Sequence, residues 1–261
     1  MASPIVLHVE HYGTGSPTIV LMHGFGGSAR NFRAQARLLQ DEYRVVLFDA
    51  RGHARSDAPS DPAEYQPEAF TDDVLRVIRE SRSERAVVGG LSMGAGIALR
   101  FAIERPEAVH ALVLASFPPP GDRGPSSWAL RFADAIDAHG LEAAGSEFVW
   151  GGDRFDSEAA RLIRQGFLEH RPHALAATLR RVVAAHPSVS ELRESLARVT
   201  IPTLIVVGSN DSPSLAPSRE LARVMPHSKL VEVPDAGHIV NLDKPKVFNE
   251  ILTSFLRGID A

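Results

Sequence analysis

Short runs of consecutive apolar, mostly β-branched residues recur along the chain: "TIVLM" from Thr18, "YRVVLFD" from Tyr43, "RAVVGG" from Arg85, "ALVLAS" from Ala111, "TLIVVGS" from Thr203 and "KLVEVP" from Lys229. Runs of this length that lack polar alternation predict strands buried on both faces, the signature of a parallel sheet covered by helices. Between them the period changes. "AFTDDVLRVIRES" from Ala69 puts Phe70, Val74, Val77 and Ile78 on one helical stripe, and "KVFNEILTSFL" from Lys246 does the same near the C-terminus. Alternating strands and helices predict an α/β fold with a doubly wound, mostly parallel sheet.

The alternation stops at Ser116, where "FPPPGDRGP" forms a rigid, turn-rich exit, and strands resume at Thr203. The intervening stretch reads as amphipathic helices, "SSWALRFADAIDAHG", "DSEAARLIRQGFLEH" and "HALAATLRRVVAAH", interrupted at Gly140, Gly151-Gly152 and Pro172. "SELRESLARVTIP", from Ser190, reads as the last connecting helix. The expected organisation is a core of residues 1–117 and 190–261 with an inserted helical cap over 118–189. A length of 261 residues is enough for one such domain. A formal charge of -4 leaves no electrostatic footprint for nucleic acid or an anionic membrane surface, so a small molecule is the expected partner. The absence of cysteine removes disulfides, thiolate metal sites and a cysteine nucleophile. The chain has no apolar stretch near the roughly 18 residues needed to span a bilayer, and its N-terminal region holds only the short run Ile5 to Leu7. A soluble cytoplasmic protein is the expectation.

The stretch "HGFGGSA", from His23, admits two readings. Gly24, Gly26 and Ala29 fit the G-x-G-x-x-G/A spacing of a dinucleotide loop, with Asp49 about 20 residues on as a ribose-binding acid. His23-Gly24-Phe25-Gly26-Gly27 also matches the loop that supplies an oxyanion-stabilising N–H in lipases and esterases. "GLSMG", Gly90 to Gly94, sits between a predicted strand and the helix-competent "AGIALRFAIER", the context of a nucleophile elbow presenting Ser92. An incidental N-capping serine is the bland alternative. A serine needs a base and an orienting acid, in chain order Ser, Asp or Glu, His. Asp211 ends the strand "TLIVVGSND", and His238 follows "KLVEVPDAG". Asp235 is the rival acid, suited instead to bracing its turn. His23 reads as support for its loop, and His170, His173 and His186 as surface residues of the helical segment. With Ser92 as nucleophile, the amides of Met93 and Phe25 become the oxyanion donors, and Asp49 and Arg51 become structural.

"HGFGGS", "DARGHARSD", "GGLSMG", "GSND" and "DAGH", in this order and spacing, resemble the α/β-hydrolase superfamily over nearly the whole chain. "GLSMG" and the modest cap are similar to oxoadipate enol-lactonases and related small esterases. The resemblance implies Ser92 as nucleophile, His238 as base, Asp211 as acid, the Phe25 and Met93 amides as the oxyanion hole, and no metal or organic cofactor. A serine at the elbow speaks against haloalkane dehalogenases and epoxide hydrolases, which use aspartate there. Leu91 stands where carbon-carbon bond hydrolases commonly carry asparagine, and Ala54 where the family turn more often has glycine. Phe25, Trp128, Phe132, Phe148 and Trp150, with Phe167, are candidate pocket walls, although helical spacing also suits simple packing. Arg123, Arg131, Arg154, Arg161 and Arg164 are candidates for binding a substrate carboxylate, against a background of solvated surface arginine. The expected activity is hydrolysis of a small carboxylic ester or lactone. A carbon-carbon bond hydrolase or a cofactor-free perhydrolase on the same triad, a hydrolase-like ligand receptor and a nucleotide-binding oxidoreductase remain alternatives.

Overall fold

The computed structural model describes residues 5–150 and 158–259, the side chains of 158–162 excepted. The strands are β1 (Val9–Tyr12), β2 (Thr18–Met22), β3 (Arg44–Phe48), β4 (Ala86–Leu91), β5 (Val109–Ala115), β6 (Thr203–Gly208) and β7 (Ser228–Val233). They form one 7-stranded sheet in the order β1-β3-β2-β4-β5-β6-β7. All neighbouring pairs are parallel except β1 with β3. The apolar runs become strands covered on both faces, with every residue of β2, β4 and β6 buried, except the run from Lys229, which forms the edge strand β7 with Val233 alone buried. β1 is the strand that the apolar pattern does not reveal. It is short and polar, and Glu10 within it is held by Arg33 and Arg55 rather than by apolar packing.

The helices are α1 (Arg33–Leu39), α2 (Pro67–Glu80), α3 (Met93–Glu104), α4 (Trp128–Gly145), α5 (Glu158–Leu168), α6 (Pro172–Thr178), α7 (Arg193–Leu196), α8 (Ser212–Val224), α9 (Val240–Asp243) and α10 (Pro245–Ile259). α1 and α10 cover one face of the sheet through Ala36, Leu39, Phe248, Leu252 and Leu256. On the other face lie α2, α3 and α8, where the predicted stripe Phe70, Val74, Val77 and Ile78 packs beside Ile97, Phe101 and Leu221. Each such side chain contributes about 1.5–3 kcal/mol by leaving water. This two-sided burial makes the fold a doubly wound α/β sheet.

Between β5 and β6 the chain runs through α4 to α7, with a small core of its own around Phe132, Ile136, Phe167, Leu175 and Leu179. Gly140 breaks α4 at φ 77°, and Pro172 opens α6, as expected from the sequence. The break expected at Gly151-Gly152 lies outside the described residues. The helix expected over "SELRESLARVTIP" shrinks to the single turn α7. A reciprocal pair of bonds between Ser188 and Glu191 caps the approach to it, but Pro202 ends the segment soon after. The outgoing and returning stretches meet where the Gly121 N–H donates to the His186 carbonyl at 2.7 Å.

Ala54 sits in the turn after β3 at φ 44°, in the left-handed region. That conformation costs a side-chain-bearing residue about 1–2 kcal/mol, partly offset by the extra unfolded-state freedom of glycine. Ala54→Gly is therefore expected to stabilise the protein by about 0.5–1 kcal/mol and raise Tm by about 1–4 °C. A lower Tm in thermal unfolding would show that the turn is not strained at this position.

Candidate active site

The carboxyl end of β4 turns into α3 through Ser92, whose backbone stands at φ 53° and ψ -114°. Such a geometry costs a non-glycine residue about 1–3 kcal/mol and persists only where its surroundings enforce it. Here they do. A methyl group on Gly90 would lie 2.5 Å from the Met22 carbonyl oxygen and 2.6 Å from the Gly94 backbone, and one on Gly94 would lie 2.4 Å from the same oxygen. The Ser92 N–H donates to the Ala115 carbonyl on β5 at 2.9 Å, and its carbonyl accepts from Gly96 at 3.0 Å. Ser92 itself is only partly buried. The next amide, Met93, opens α3, where N–H groups have no partner within the helix and the helix dipole favours negative charge.

Two and three strands further along the same edge, Asp211 follows β6 and His238 follows β7. The His238 ring donates from Nδ1 to Asp211 Oδ2 at 2.8 Å, which leaves Nε2 as the acceptor nitrogen. Asp211 is 3% exposed and His238 46% exposed. Burial opposes the Asp211 charge, but the bond from His238 holds its carboxyl below the usual carboxylate range. The Ser116 and Ser214 hydroxyls lie nearby without a hydrogen bond to it. Gly208 lets the two strand ends close up, since a methyl group there would lie 2.3 Å from the Ala236 carbonyl oxygen. The His238 loop is braced by Asp243, which accepts from the Gly237 N–H at 2.8 Å. Asp235 is exposed, and its N–H donates to Ser209 Oγ; among the described residues no bond joins it to His238. Asp243, which braces the His238 loop, was not singled out by motif, nor were Ser116 and Ser214 beside Asp211. Their sequence signal is position alone, directly after β5 or within a few residues of Asp211 or His238.

The loop after β2 packs against the elbow: a methyl group on Gly24 would lie 3.5 Å from the Ser92 Cβ. Gly27 N–H closes the turn on the Gly24 carbonyl at 3.0 Å. His23 anchors this turn from below, with Nδ1–H donating to the Gly24 carbonyl at 2.7 Å and Nε2 accepting from the Ala50 N–H at 3.0 Å. This pattern needs a neutral imidazole, and burial pushes the His23 pKa down to about 4. Asp49 is fully buried and accepts from the Ala29 N–H at 2.7 Å and from Arg55 Nε at 2.9 Å. Arg51 grips Asp73 through Nε and Nη2 at 2.7 and 3.0 Å. The acid needed for a nucleotide ribose is thus committed to holding the loop, which removes the main support of the dinucleotide reading.

A family model described as "Alpha/beta hydrolase family" matches residues 19–251. The chain belongs to this family. A hydrolase sequence from Acinetobacter baylyi (strain ATCC 33305 / BD413 / ADP1), named 3-oxoadipate enol-lactonase 1, is 29% identical over 94% of this chain and 90% of its own. A Bacillus subtilis (strain 168) protein provisionally named 2-succinyl-6-hydroxy-2,4-cyclohexadiene-1-carboxylate synthase is 31% identical over 94% of this chain and 92% of its own. The structure of a thermophilic esterase from Thermogutta terrifontis superposes with a TM-score of 0.87 at 28% identity, covering 100% of this chain and 97% of the other.

In this α/β-hydrolase the aromatic side chains of the helical segment between β5 and β6 form one cluster with Phe25. Phe132 stacks between Phe148 and Phe167 at 4.8 and 5.9 Å, and Phe25 meets Phe132 edge-on at 5.8 Å. Trp128 and Trp150 extend it at 5.3 Å from Phe132 and 5.5 Å from Phe167. Two of the histidines expected on the surface are not there. His170 is buried against the Phe25 loop, because the chain just past α5 folds back onto it, and His186 is half-buried against Phe117, with its Nε2 shut from solvent and without a hydrogen bond among the described residues. His173 is exposed, as expected. Arg131 and Arg164 are exposed and paired with Glu147 and Glu142, Arg123 is exposed, and Arg154 and Arg161 have no described side chain. Among the described residues no set of acidic or histidine side chains is grouped to hold a metal. A cavity of about 470 Å³ opens at the opposite, amino-terminal strand edge, lined by Thr14, Arg44, Arg82, Arg85 and His110, and does not include Ser92.

Burial lowers both His23 and His186 to about 4 and His53 well below its ordinary value. The unfolded chain therefore takes up protons below about pH 6.5 that the folded chain refuses. Stability is present in full above that pH and falls as pH drops toward 4, by up to about 1.4 kcal/mol per pH unit for each histidine. Urea unfolding at a series of pH values checks this. His186→Gln should make the decline shallower by one proton's share, and an unchanged slope would mean that His186 is protonated in the fold.

Proposed function

We propose that this protein is a serine hydrolase that cleaves a small carboxylic ester or lactone through an acyl-enzyme. The observation that carries the proposal is the His238–Asp211 pair, bonded at 2.8 Å on the same sheet edge as the strained Ser92 turn. In this reading His238 Nε2 takes the Ser92 hydroxyl proton as Oγ adds to the substrate carbonyl. The resulting oxyanion accepts from the Met93 and Phe25 amides. Collapse expels the alkoxide, which receives the proton from His238. Water, deprotonated by the same nitrogen, then adds to the acyl carbon, the bond to Ser92 Oγ breaks as His238 returns the proton to that oxygen, and the carboxylic acid leaves. Asp211 keeps the proton on Nδ1 and stabilises the imidazolium.

The segment 118–189 serves as the cap in this proposal, with Phe25, Trp128, Phe132, Phe148 and Trp150 as the apolar wall over the acyl group. Support for an uncharged acyl chain comes from the arginines. Arg131 and Arg164 are exposed and Arg180 half-buried, and each already faces a carboxylate, Glu147, Glu142 and the pair Asp134 and Asp137. Turnover of p-nitrophenyl acetate and butyrate, with chelator present, is the test. Ser92→Ala is expected to lower kcat by roughly four to six orders of magnitude, and Asp211→Asn by about three to four orders, by allowing the wrong imidazole tautomer. Wild-type turnover in Ser92→Ala would sink the proposal, and wild-type turnover in Asp211→Asn would move the acid role elsewhere.

A further inference from the structure

Three successive contacts bind the end of α5 to the loop that carries Phe25. The Phe167 ring lies on Gly26, so closely that a methyl group there would come within 2.6 Å of it. Glu169 accepts two bonds from Arg30 Nη1, at 3.0 and 2.9 Å. His170 Nε2 lies 3.0 Å from the Gly27 carbonyl oxygen, and Nδ1 lies 3.0 Å from its own segment's Phe167 carbonyl oxygen. His170 is 5% exposed, and its ring stands edge-on to His53 at 5.3 Å, while His53 in turn packs on His23 at 5.1 Å and on the Phe25 ring at 6.0 Å.

The turn Gly24 to Gly27 is thus gripped from two sides. From the core, His23 holds the Gly24 carbonyl; from the helical segment, His170 holds the Gly27 carbonyl. The Phe25 N–H shares one peptide plane with the Gly24 carbonyl, and the Gly27 N–H donates to that carbonyl at 3.0 Å, so His170 bears on the Phe25 N–H through Gly27. The rest of the loop has little other restraint, since Phe25, Gly26 and Gly27 are each only partly buried. A surface histidine would serve no such purpose. This one is buried at a desolvation cost, and its neutral ring carries a single N–H, which on Nε2 donates to the Gly27 carbonyl.

From this geometry we propose that His170 is a positioning residue that sets the direction of the Phe25 N–H, coupling the seating of the helical segment to the oxyanion hole. The proposal rests on the acyl-transfer reading above. It makes the helical segment more than a lid: unless its α5 end is docked, the oxyanion donor set is incomplete. The residue never touches the reacting atoms, so its effect belongs in kcat rather than in ground-state binding.

The experiment compares wild type, Ser92→Ala, His170→Leu, His170→Gln and Phe167→Leu on p-nitrophenyl butyrate, with Tm measured for each. Glutamine retains an N–H that reaches the Gly27 carbonyl, whereas leucine of similar size has none. Losing an oxyanion donor outright costs about 100- to 1,000-fold, so misdirecting one is expected to lower kcat about 10- to 100-fold in His170→Leu. KM should stay within about threefold of wild type, and His170→Gln should recover kcat to within about threefold. Should His170→Leu not fold, Phe167→Leu carries the same test. It loosens the contact on Gly26, leaves His170 in place and is expected to lower kcat about three- to tenfold. Equal kcat in the leucine and glutamine variants overturns the proposal, as does a loss confined to KM, or wild-type kcat in Phe167→Leu where the His170→Leu arm is lost. Ser92→Ala separates the two failures. If it is inactive while the His170 variants match wild type, the positioning role alone falls; if it is active, the acyl-transfer reading falls first.

Discussion

The tight passage from β4 into α3 is the constraint on which the rest depends. Gly90 and Gly94 press against the Met22 carbonyl, and no side chain fits at either position. That close approach of neighbouring strand and helix forces Ser92 into a backbone conformation it would not choose. The strain is sustained by the completely buried strands β2 and β4 on either side of the contact. A protein with a weaker sheet would relax the turn, and Ser92 would become an ordinary helix cap. The stability of the doubly wound core and the chemistry of its edge are in this sense one problem.

Around that turn the molecule separates charge from neutrality. Asp211 remains ionised despite burial, because His238 donates to it. On the other flank, His23 and His53 stay neutral because burial outweighs the Gly24 carbonyl and Asp49 beside the first and the Arg51 carbonyl beside the second. A neutral His23 can accept from Ala50 while donating to Gly24, which a charged ring could not do. Asp49 completes the bracing by taking the Ala29 N–H and the Arg55 side chain. The same short stretch of chain therefore holds the fold together and aims the loop beside Ser92.

Much of this was legible in the sequence because it is local. Strands buried on both faces print as unbroken apolar runs, and the stripe from Phe70 to Ile78 prints as helical period. The elbow prints as two glycines around a serine. What escaped reading depends on distant partners. β1 is held by Glu10 reaching Arg33 and Arg55, which no periodicity announces. His170 lies 143 residues from the Gly27 carbonyl it approaches, and on its own helix it looks like any polar residue facing water. Asp49 carried the opposite lesson: its spacing from the glycine loop suited a ribose, yet the carboxylate is spent on the loop itself. Asp235 was set aside for its place in the same loop as His238, where it suits bracing the turn, and the bond to His238 is formed by Asp211.

The most direct test of the central claim is covalent labelling by diethyl p-nitrophenyl phosphate, followed by peptide mass mapping. An activated Ser92 predicts a single diethylphosphoryl group on the Ser92 peptide, appearing in step with loss of esterase activity, and no label in Ser92→Ala. A label on another residue that tracks the loss of activity, or persistent activity in fully labelled protein, would contradict the assignment of Ser92 as the nucleophile.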